Sequence, residues 1–219
     1  MKKQGRVLTR MGLCLLGLFL LWTALLQVVD VQPIGPMGTE VGLAAVNGWF
    51  HRLTGIHMTL YTITDWLGLV PIGLCLLFGT KGLMQLAKKR SLRKVDVDIL
   101  LLGVYYMLVI LGYLLFEMLP LNYRPVLIDG RLEASYPSST TLLVVSVMPT
   151  LLWQADRRLK NARVKRTIHI LTVGFSVLMV LGRLLSGVHW LSDIVGAILL
   201  SAGLFCIYGA VVVSYEKQD

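Results

Sequence analysis

The sequence has few charged residues, and no polar stretch is long enough to form a separate soluble domain. Only 15% of its 219 residues are charged, whereas 56% are hydrophobic, and the mean hydropathy is +0.72. One soluble core could not bury so much apolar surface. The composition therefore excludes an ordinary soluble domain and predicts an integral membrane protein. Since no internal repeat or low-complexity tract is present, residues 1–219 read as a single transmembrane domain.

Cysteine and histidine are also scarce. The three cysteines, Cys14, Cys75 and Cys206, lie inside apolar segments, where a thiol is typically a small buried hydrophobe. This pattern excludes a disulfide framework and a zinc cluster. The four histidines show no clustered ligand spacing, so we expect no metal ion and no other cofactor.

Acidic residues are fewer than basic ones, with 12 Asp and Glu against 21 Lys and Arg and a formal net charge of +9. A nucleic-acid site would gather this charge on one face. Instead, 17 of the 21 basic residues lie in short clusters beside apolar runs. We therefore expect a membrane bilayer as the partner and no nucleic acid.

Six apolar segments approach the length needed to cross about 30 Å of hydrocarbon at about 1.5 Å per residue. Their approximate ranges are 11–29, 58–78, 99–119, 140–153, 167–186 and 190–213. The fourth is short and contains Pro149, which favours a kink. The first exceeds the 7 to 15 apolar residues, roughly, of a secretory signal, and no small-x-small cleavage site follows, so we expect a retained helix. The pattern predicts an all-α bundle of six transmembrane helices.

The basic clusters predict the orientation of this bundle, because Lys and Arg concentrate in cytoplasmic connections. The amino terminus, the second and fourth connections and the carboxyl end should therefore all be cytoplasmic. The cations concerned are Lys2, Lys3, Arg6, Arg10, Lys81, Lys88, Lys89, Arg90, Arg93, Lys94, Arg157, Arg158, Lys160, Arg163, Lys165, Arg166 and Lys217. So compact a membrane chain favours a multi-pass protein of a bacterial plasma membrane.

Three ionisable residues, Arg183, His189 and Asp193, lie where the last two apolar segments meet, outside the cytoplasm in this topology. Ionisable groups at a membrane boundary indicate a functional site by default. His189 and Asp193 are four residues apart, so on the sixth helix they would share a face and the carboxylate would orient the imidazole. Gly187 is a plausible stop for the fifth helix.

A second group of residues belongs to the preceding outward connection. Arg124 is followed by Pro125, and Pro137 is followed by Ser138, Ser139 and Thr140 at the start of the fourth helix. Hydroxyl side chains cap helix N-termini, and a helix N-terminus attracts anions. If both groups converge, the two arginines and the hydroxyls form a phosphate site.

These motifs resemble the type 2 phosphatidic acid phosphatase (PAP2) superfamily, whose membrane lipid phosphatases share their core with vanadium haloperoxidases. The motifs cover residues 117–193, and the six-helix topology agrees across almost the whole chain. The resemblance implies that His189 attacks phosphorus to form a phosphohistidine, that Asp193 orients it, and that Arg124 and Arg183 bind phosphate oxygens. It implies assistance from Ser138 and the nearby backbone, and a lipid phosphate as substrate.

Two positions depart from the family pattern. The first motif, Lys-x6-Arg-Pro, would place its lysine where Glu117 stands, and the second, Pro-Ser-Gly-His, would place its histidine at Thr140. That histidine protonates the leaving group in the family. Because a phosphate leaving group needs less help from an acid than an alkoxide does, the sequence favours a polyprenyl diphosphate over a phosphatidic acid-type monophosphate.

Several alternatives stay open. Glu117, Glu133, His51 or His57 lie near the outward side and could supply a proton. The chain could also be a lipid-phosphate binding, transport or assembly protein that no longer turns over. Asp65 and Trp66 are interpreted as markers of the membrane interface. The long outward connection, 30–57, is expected to cover the site or to form an interfacial helix around residues 41–53.

Overall fold

The computed structural model describes residues 2–215, apart from the side chain of Lys2, and Lys217 lies outside the described residues. Within this range the chain is helical and contains no β-strand. The helices are α1 (Lys2–Val28), α2 (Ala44–Thr54), α3 (Met58–Leu67), α4 (Leu69–Lys89), α5 (Val97–Met118), α6 (Ser139–Arg158), α7 (Ala162–Leu185) and α8 (Leu191–Tyr215). The predicted all-α class is confirmed.

Five stretches of the described chain are long and apolar enough to cross a membrane, namely α1, the consecutive helices α3 and α4, α5, α7 and α8. They make the chain a multi-pass membrane protein. Large apolar side chains such as Leu20, Leu77 and Leu171 are exposed on their outer faces, as expected for contact with lipid. The sixth span and the cytoplasmic position of the termini stay predictions.

Helix α6 lacks the hydropathy of a span because other helices surround it. It packs against α4, α5, α7 and α8, and its Ser146, Thr150 and Gln154 are buried. The Tyr105 hydroxyl donates to the Ser146 carbonyl at 3.0 Å, and the Tyr106 and Thr150 hydroxyls lie 2.7 Å apart. Polar side chains are tolerated here because neighbouring helices supply their partners. The helix also extends beyond the predicted 140–153 segment at both ends.

Helices α1 and α8 form the most extensive helix pair of the fold. Gly203 lies at this contact, and a Cβ there would approach Leu16 Cδ2 to 2.8 Å. The absence of side chains lets the two backbones come close together, which stabilises helix pairs in lipid. Gly203 therefore lies at a close helix–helix contact.

The cysteines differ from the expectation of buried thiols. All three are free, but Cys14 is exposed and Cys75 and Cys206 are only partly buried. The apolar outer face of a membrane helix contacts lipid, so an apolar segment does not by itself indicate burial.

The two ends of the bundle differ in charge. At one end, Arg158 of α6 pairs with Asp98 at 2.5 Å and with Asp96 at 3.5 Å, while Lys89 of α4 also pairs with Asp96. The opposite ends of α5, α6, α7 and α8 carry the loop after α5 and the turn between α7 and α8. The predicted site residues lie in these two connections and in the helix ends beside them.

Candidate functional site

His189 lies in the turn between α7 and α8. The sequence instead predicts it on the last helix. The last residues of α7 are followed by Gly187 with φ +71°, and α8 begins only at Leu191. Asp193 Oδ2 accepts the Trp190 backbone N–H at 2.8 Å, and the Asp193 N–H bonds to the Trp190 carbonyl. Because of this local turn, α8 begins after His189. His189 therefore precedes the helix that carries Asp193.

Gly187 is required by its surroundings as well as by its backbone conformation. A Cβ at this position would lie 2.0 Å from the carbonyl oxygen of Gly55. His51 Nε2 lies 3.1 Å from the Gly187 carbonyl, and the His57 N–H donates to the Ser186 carbonyl at 2.9 Å. The α2–α3 connection therefore holds the turn that carries His189.

The predicted helix in the outward connection is present as α2. Asn47 donates to Ser192 Oγ at 2.9 Å and accepts the Ser192 N–H at 3.1 Å. Both residues are buried. Helix α2 is thus fixed to the start of α8, and its His51 holds the turn through Gly187.

The pair formed by His189 and Asp193 includes a third residue that the sequence analysis missed. His189 Nδ1 is 3.7 Å from Asp193 Oδ2, too far for a hydrogen bond. The Ser135 hydroxyl lies 3.1 Å from His189 Nδ1 and makes a short hydrogen bond to Asp193 Oδ2. The one hydroxyl proton satisfies Asp193, so Ser135 accepts from a protonated Nδ1. In this tautomer the lone pair of His189 is on Nε2.

Ser135 is placed by the loop that follows α5. This loop folds back on itself, because the Arg124 N–H bonds to the Glu133 carbonyl at 3.1 Å and the Ser135 N–H bonds to the Asn122 carbonyl at 2.9 Å. These two bonds pair the two ends of the loop and so hold Arg124 and Ser135 close to each other. A single loop therefore contributes a cation and the residue between His189 and Asp193.

Arg124 and Arg183 converge on the ring of Tyr61, which meets the condition that the sequence set for a phosphate site. Arg124 is 8% exposed and Arg183 only 1%, and their guanidinium carbons lie 5.9 Å and 4.8 Å from the centre of the Tyr61 ring. Cation–π contact with one aromatic ring stabilises both charges. Tyr61 on α3 is a second residue that the sequence gave no reason to select.

Each arginine faces one carboxylate but keeps free donors. Arg124 Nε is 3.1 Å from Glu133 Oε2, and Arg183 Nη1 is 3.6 Å from Asp65 Oδ1. Among the described residues, Nη1 of Arg124 and Nε of Arg183 have neither a hydrogen-bond partner nor an ion-pair partner. Leaving buried charged donors unpaired is costly, so these atoms indicate a site for a polyanion.

The charges of Arg124 and Arg183 act on the His189 imidazole. It is 3% exposed, and burial together with the positive charges of Arg124 and Arg183 holds its pKa well below the usual range. Within residues 2–215, its Nε2 has no hydrogen-bond partner. The imidazole is therefore neutral at neutral pH and presents an unshared electron pair beside two arginines, as a nucleophile requires.

The hydroxyl cluster at the start of α6 has two parts. Ser138 is buried but its side chain does not cap the helix; its Oγ donates to Thr141 Oγ1 at 3.1 Å, and its N–H donates to the Asp193 carbonyl at 3.2 Å. The expected hydroxyl cap is therefore absent at Ser138, whose side chain bonds to Thr141 instead. Ser139 and Thr140 line a groove that begins at this helix end.

This groove has a volume of about 630 Å³ and runs between α4, α5 and α6. Its polar residues, Asp65, Ser139 and Thr140, lie where α3 and the start of α6 meet. Its apolar wall comprises Leu69, Ile72, Leu76, Val109, Ile110, Leu142, Leu143 and Val147. The groove thus joins the end of the bundle that holds Arg183 to an apolar channel between helices.

Glu117 is exposed near the end of α5 and lines a small cavity with Ser135, Tyr136, Pro137 and Ser139. Of the other residues considered as proton donors, Glu133 pairs with Arg124. His51 and His57 contact the backbone of the turn and of α2. Asp65, interpreted from the sequence as an interface marker, is an ion-pair partner of Arg183.

Residues 2–215 contain no group of three or more His, Cys, Asp or Glu that could hold a metal ion.

Comparison with known proteins gives one family. The family model described as the PAP2 superfamily matches residues 99–217. The fold is also similar to the first transmembrane PAP2 type phosphatidylglycerolphosphate phosphatase from Bacillus subtilis, with a TM-score of 0.56, 18% sequence identity, and coverage of 94% of this chain and 96% of that chain. No curated protein matches the chain. Because the family model spans more than half of the sequence, the resemblance is confirmed and the chain belongs to the PAP2 superfamily.

Proposed function

We propose that this protein is a membrane lipid phosphatase that forms a phosphohistidine at His189 on the extracytoplasmic side of a bacterial plasma membrane. One observation carries the proposal: the partner-free Nε2 of His189 lies close to two buried arginines that keep unpaired donors. A neutral imidazole beside a cationic anion site suits nucleophilic attack on a bound phosphate.

Each part of the site has a role in this reaction. Arg124 and Arg183 neutralise the phosphate oxygens, and their planar guanidinium groups suit multiple contacts to a phosphate. Asp193 stabilises the charge that His189 acquires during attack, through the hydroxyl of Ser135. The pair of His189 and Asp193 also argues for turnover, because phosphate binding alone has little need for an oriented nucleophile.

The groove beside α6 supports a lipid substrate. Its apolar wall accepts a hydrocarbon chain, and its polar residues lie next to Arg183. A lipid tail is already surrounded by hydrocarbon in the bilayer, so its entry into the groove gains little transfer free energy. The groove acts instead by orienting the lipid so that its phosphate meets His189.

We propose a polyprenyl diphosphate as the favoured substrate. General acid catalysis is worth about 10²- to 10⁴-fold, and Thr140 cannot supply it at the position where the family has histidine. Loss of the acid is most costly for an alkoxide, whose conjugate acid has a pKa near that of water, about 16. A phosphate leaving group, with a second pKa near 6, departs without such help.

The site is proposed to face outside the cytoplasm because the basic clusters lie at the opposite end of the helices. The same rule assigns six spans, with α6 as the fourth, and cytoplasmic termini. The buried position of α6 among its neighbours is compatible with a span, since a central helix need not be apolar on its outer face.

A direct test measures inorganic phosphate released in detergent from a polyprenyl diphosphate, phosphatidic acid and phosphatidylglycerolphosphate, the lipid named for the similar structure. Release that requires His189 and is fastest with the diphosphate is the expected result. Equal or faster release from either monoester contradicts the substrate preference but keeps the phosphatase.

A second candidate is a lipid-phosphate binding, transport or assembly protein without turnover. Glu117 and Thr140, which replace a cation and the acid of the family motifs, favour it. In this case the unmodified protein binds the lipids but releases no phosphate from any of them, and His189→Ala leaves binding unchanged.

A further inference from the structure

Asp65 is exposed, although the arginine with which it forms an ion pair is buried. Its side chain is 59% exposed, while that of its ion-pair partner Arg183 is 1% exposed. The ion pair holds the carboxylate of Asp65 beside Arg183, and this exposed carboxylate lines the groove. A phosphate bound by the free donors of Arg183 would therefore have this exposed carboxylate beside it.

The surroundings of Asp65 bring it to the start of α6. Asp65, Ser139 and Thr140 line the same polar part of the groove. One turn further along the chain, a Cβ on Gly68 would lie 3.7 Å from Thr140 Cγ2. The close approach of Gly68 to Thr140 thus brings the end of α3, which carries Asp65, near the residue that replaces the histidine of the second motif.

The second half of the proposed reaction needs a group that His189 cannot provide. Once His189 carries the phosphoryl group, water must attack phosphorus and lose a proton, and a base accelerates this step. Asp193 is fully buried and bound to Ser135 and to the Trp190 N–H. Glu133 pairs with Arg124 and does not line the groove.

We infer that Asp65 is the general base that activates water for hydrolysis of the phosphohistidine, a role that rests on the proposed phosphatase function. The water oxygen forms a bond to phosphorus while the P–N bond breaks and its electron pair returns to His189 Nε2. The Asp65 carboxylate takes the proton of the water and later releases it to solvent with the departure of inorganic phosphate. No metal ion or further reactant enters this step.

With Asp65 as the base, a protein that has Thr140 in place of the family histidine completes both half-reactions. The first half-reaction expels a phosphate and needs little acid, whereas the second half-reaction needs a base for every substrate. Asp65 therefore acts on dephosphorylation and leaves the preference for a diphosphate unchanged.

The experiment uses the full-length protein in detergent and a polyprenyl diphosphate radiolabelled in its terminal phosphate. In Asp65→Asn, the amide keeps the shape and an oxygen that can face Arg183 but does not act as a base. We expect formation of the phosphoenzyme at close to the normal rate, a burst of about one equivalent per site, and a fall in kcat of about 10²- to 10⁴-fold. Label held on His189, labile to acid and stable to base, accumulates. Asp65→Glu, which restores a carboxylate, recovers part of kcat and reduces the accumulation of label.

Two controls separate this role from support of Arg183. Glu133→Gln removes the carboxylate beside the other arginine and should raise KM without accumulation of label. His189→Ala should acquire no label. If Asp65→Asn raises KM, slows phosphorylation and accumulates no label, or if it retains full activity, the inference is overturned. If the unmodified protein neither releases phosphate nor acquires label, the proposed function itself fails, which is a different result from failure at Asp65 alone.

Discussion

The hydroxyl of Ser135 lies 3.1 Å from His189 Nδ1. The same hydroxyl bonds to Asp193 Oδ2, so the carboxylate orients the imidazole through a serine that belongs to a different connection. This arrangement ties the loop after α5, which carries Arg124, to the turn that carries His189. The phosphate ligand and the nucleophile are therefore positioned by a shared hydrogen-bond network.

Removal of the Ser135 hydroxyl should weaken catalysis without abolishing it. In Ser135→Ala the 3.7 Å separation of His189 and Asp193 leaves Nδ1 and the carboxylate without their shared partner, at a cost of about 1 to 3 kcal/mol. We expect kcat to fall about 10- to 100-fold with little change in KM, measured as phosphate release.

The conservative variant Ser135→Thr tests whether the hydroxyl is the cause, because it keeps the hydroxyl and adds a methyl group. Recovery of most of the activity is expected. If Ser135→Thr is as poor as Ser135→Ala, crowding of the loop and not the hydrogen-bond network determines the loss.

Replacement of Arg183 by lysine should weaken phosphate binding although the charge is kept. A lysine has no planar fork, and its ammonium group does not match two phosphate oxygens at once. We expect Arg183→Lys to raise KM and the inhibition constant of inorganic phosphate about 10- to 100-fold, because a hydrogen bond to a charged group is worth about 1.5 to 3 kcal/mol. Arg52→Lys, on the exposed surface of α2, serves as the matched control and should change neither constant.

The low pKa of His189 predicts a characteristic pH profile. Burial is the largest cause of the shift, followed by the charge of Arg124 and that of Arg183. The neutral imidazole is the nucleophile, so a lowered pKa keeps the reactive form populated as the pH falls. In the pH profile of kcat/KM, the fall on the acid side that is due to the enzyme should therefore occur below the ordinary histidine pKa of about 6.5.

Arg124→Gln checks the sign of this shift with the same substrate. Removal of one positive charge raises the pKa of His189, so the acid limb should move to higher pH while the substrate's own ionisation stays fixed. A limb that moves to lower pH, or that does not move, contradicts the assignment of His189 as the titrating nucleophile.

Much of the fold and part of the site follow from the sequence, for identifiable reasons. The ranges of α5, α7 and α8 were anticipated closely because long apolar runs have few alternatives in a membrane. Arg124, Arg183, His189 and Asp193 were selected because charged groups at these boundaries are costly and their spacing matches a motif.

The missed residues depend on contacts that no local pattern encodes. Ser135 precedes Pro137 by two residues and acquires its role only when the loop after α5 meets the α7–α8 turn. Tyr61 and Asp65 lie on a helix that carries no motif, and their importance arises from the packing of α3 against α7. Helix α6 was predicted to end at Trp153, where the apolar run stops, whereas the helix continues through the buried Gln154 to Arg158.

Introduction of a histidine at position 140 should change the substrate preference. Thr140 is 9% exposed and lines the polar end of the groove, so an imidazole there would lie beside the leaving group. General acid catalysis assists an alkoxide far more than a phosphate. We expect Thr140→His to raise phosphatidic acid hydrolysis about 10²-fold relative to polyprenyl diphosphate hydrolysis, measured as the ratio of the two kcat/KM values. Thr140→Gln, which is polar and similar in size but carries no titratable group, should leave that ratio near its original value. If both variants shift the ratio equally, the shape of the groove and not the absence of an acid sets the preference for a diphosphate.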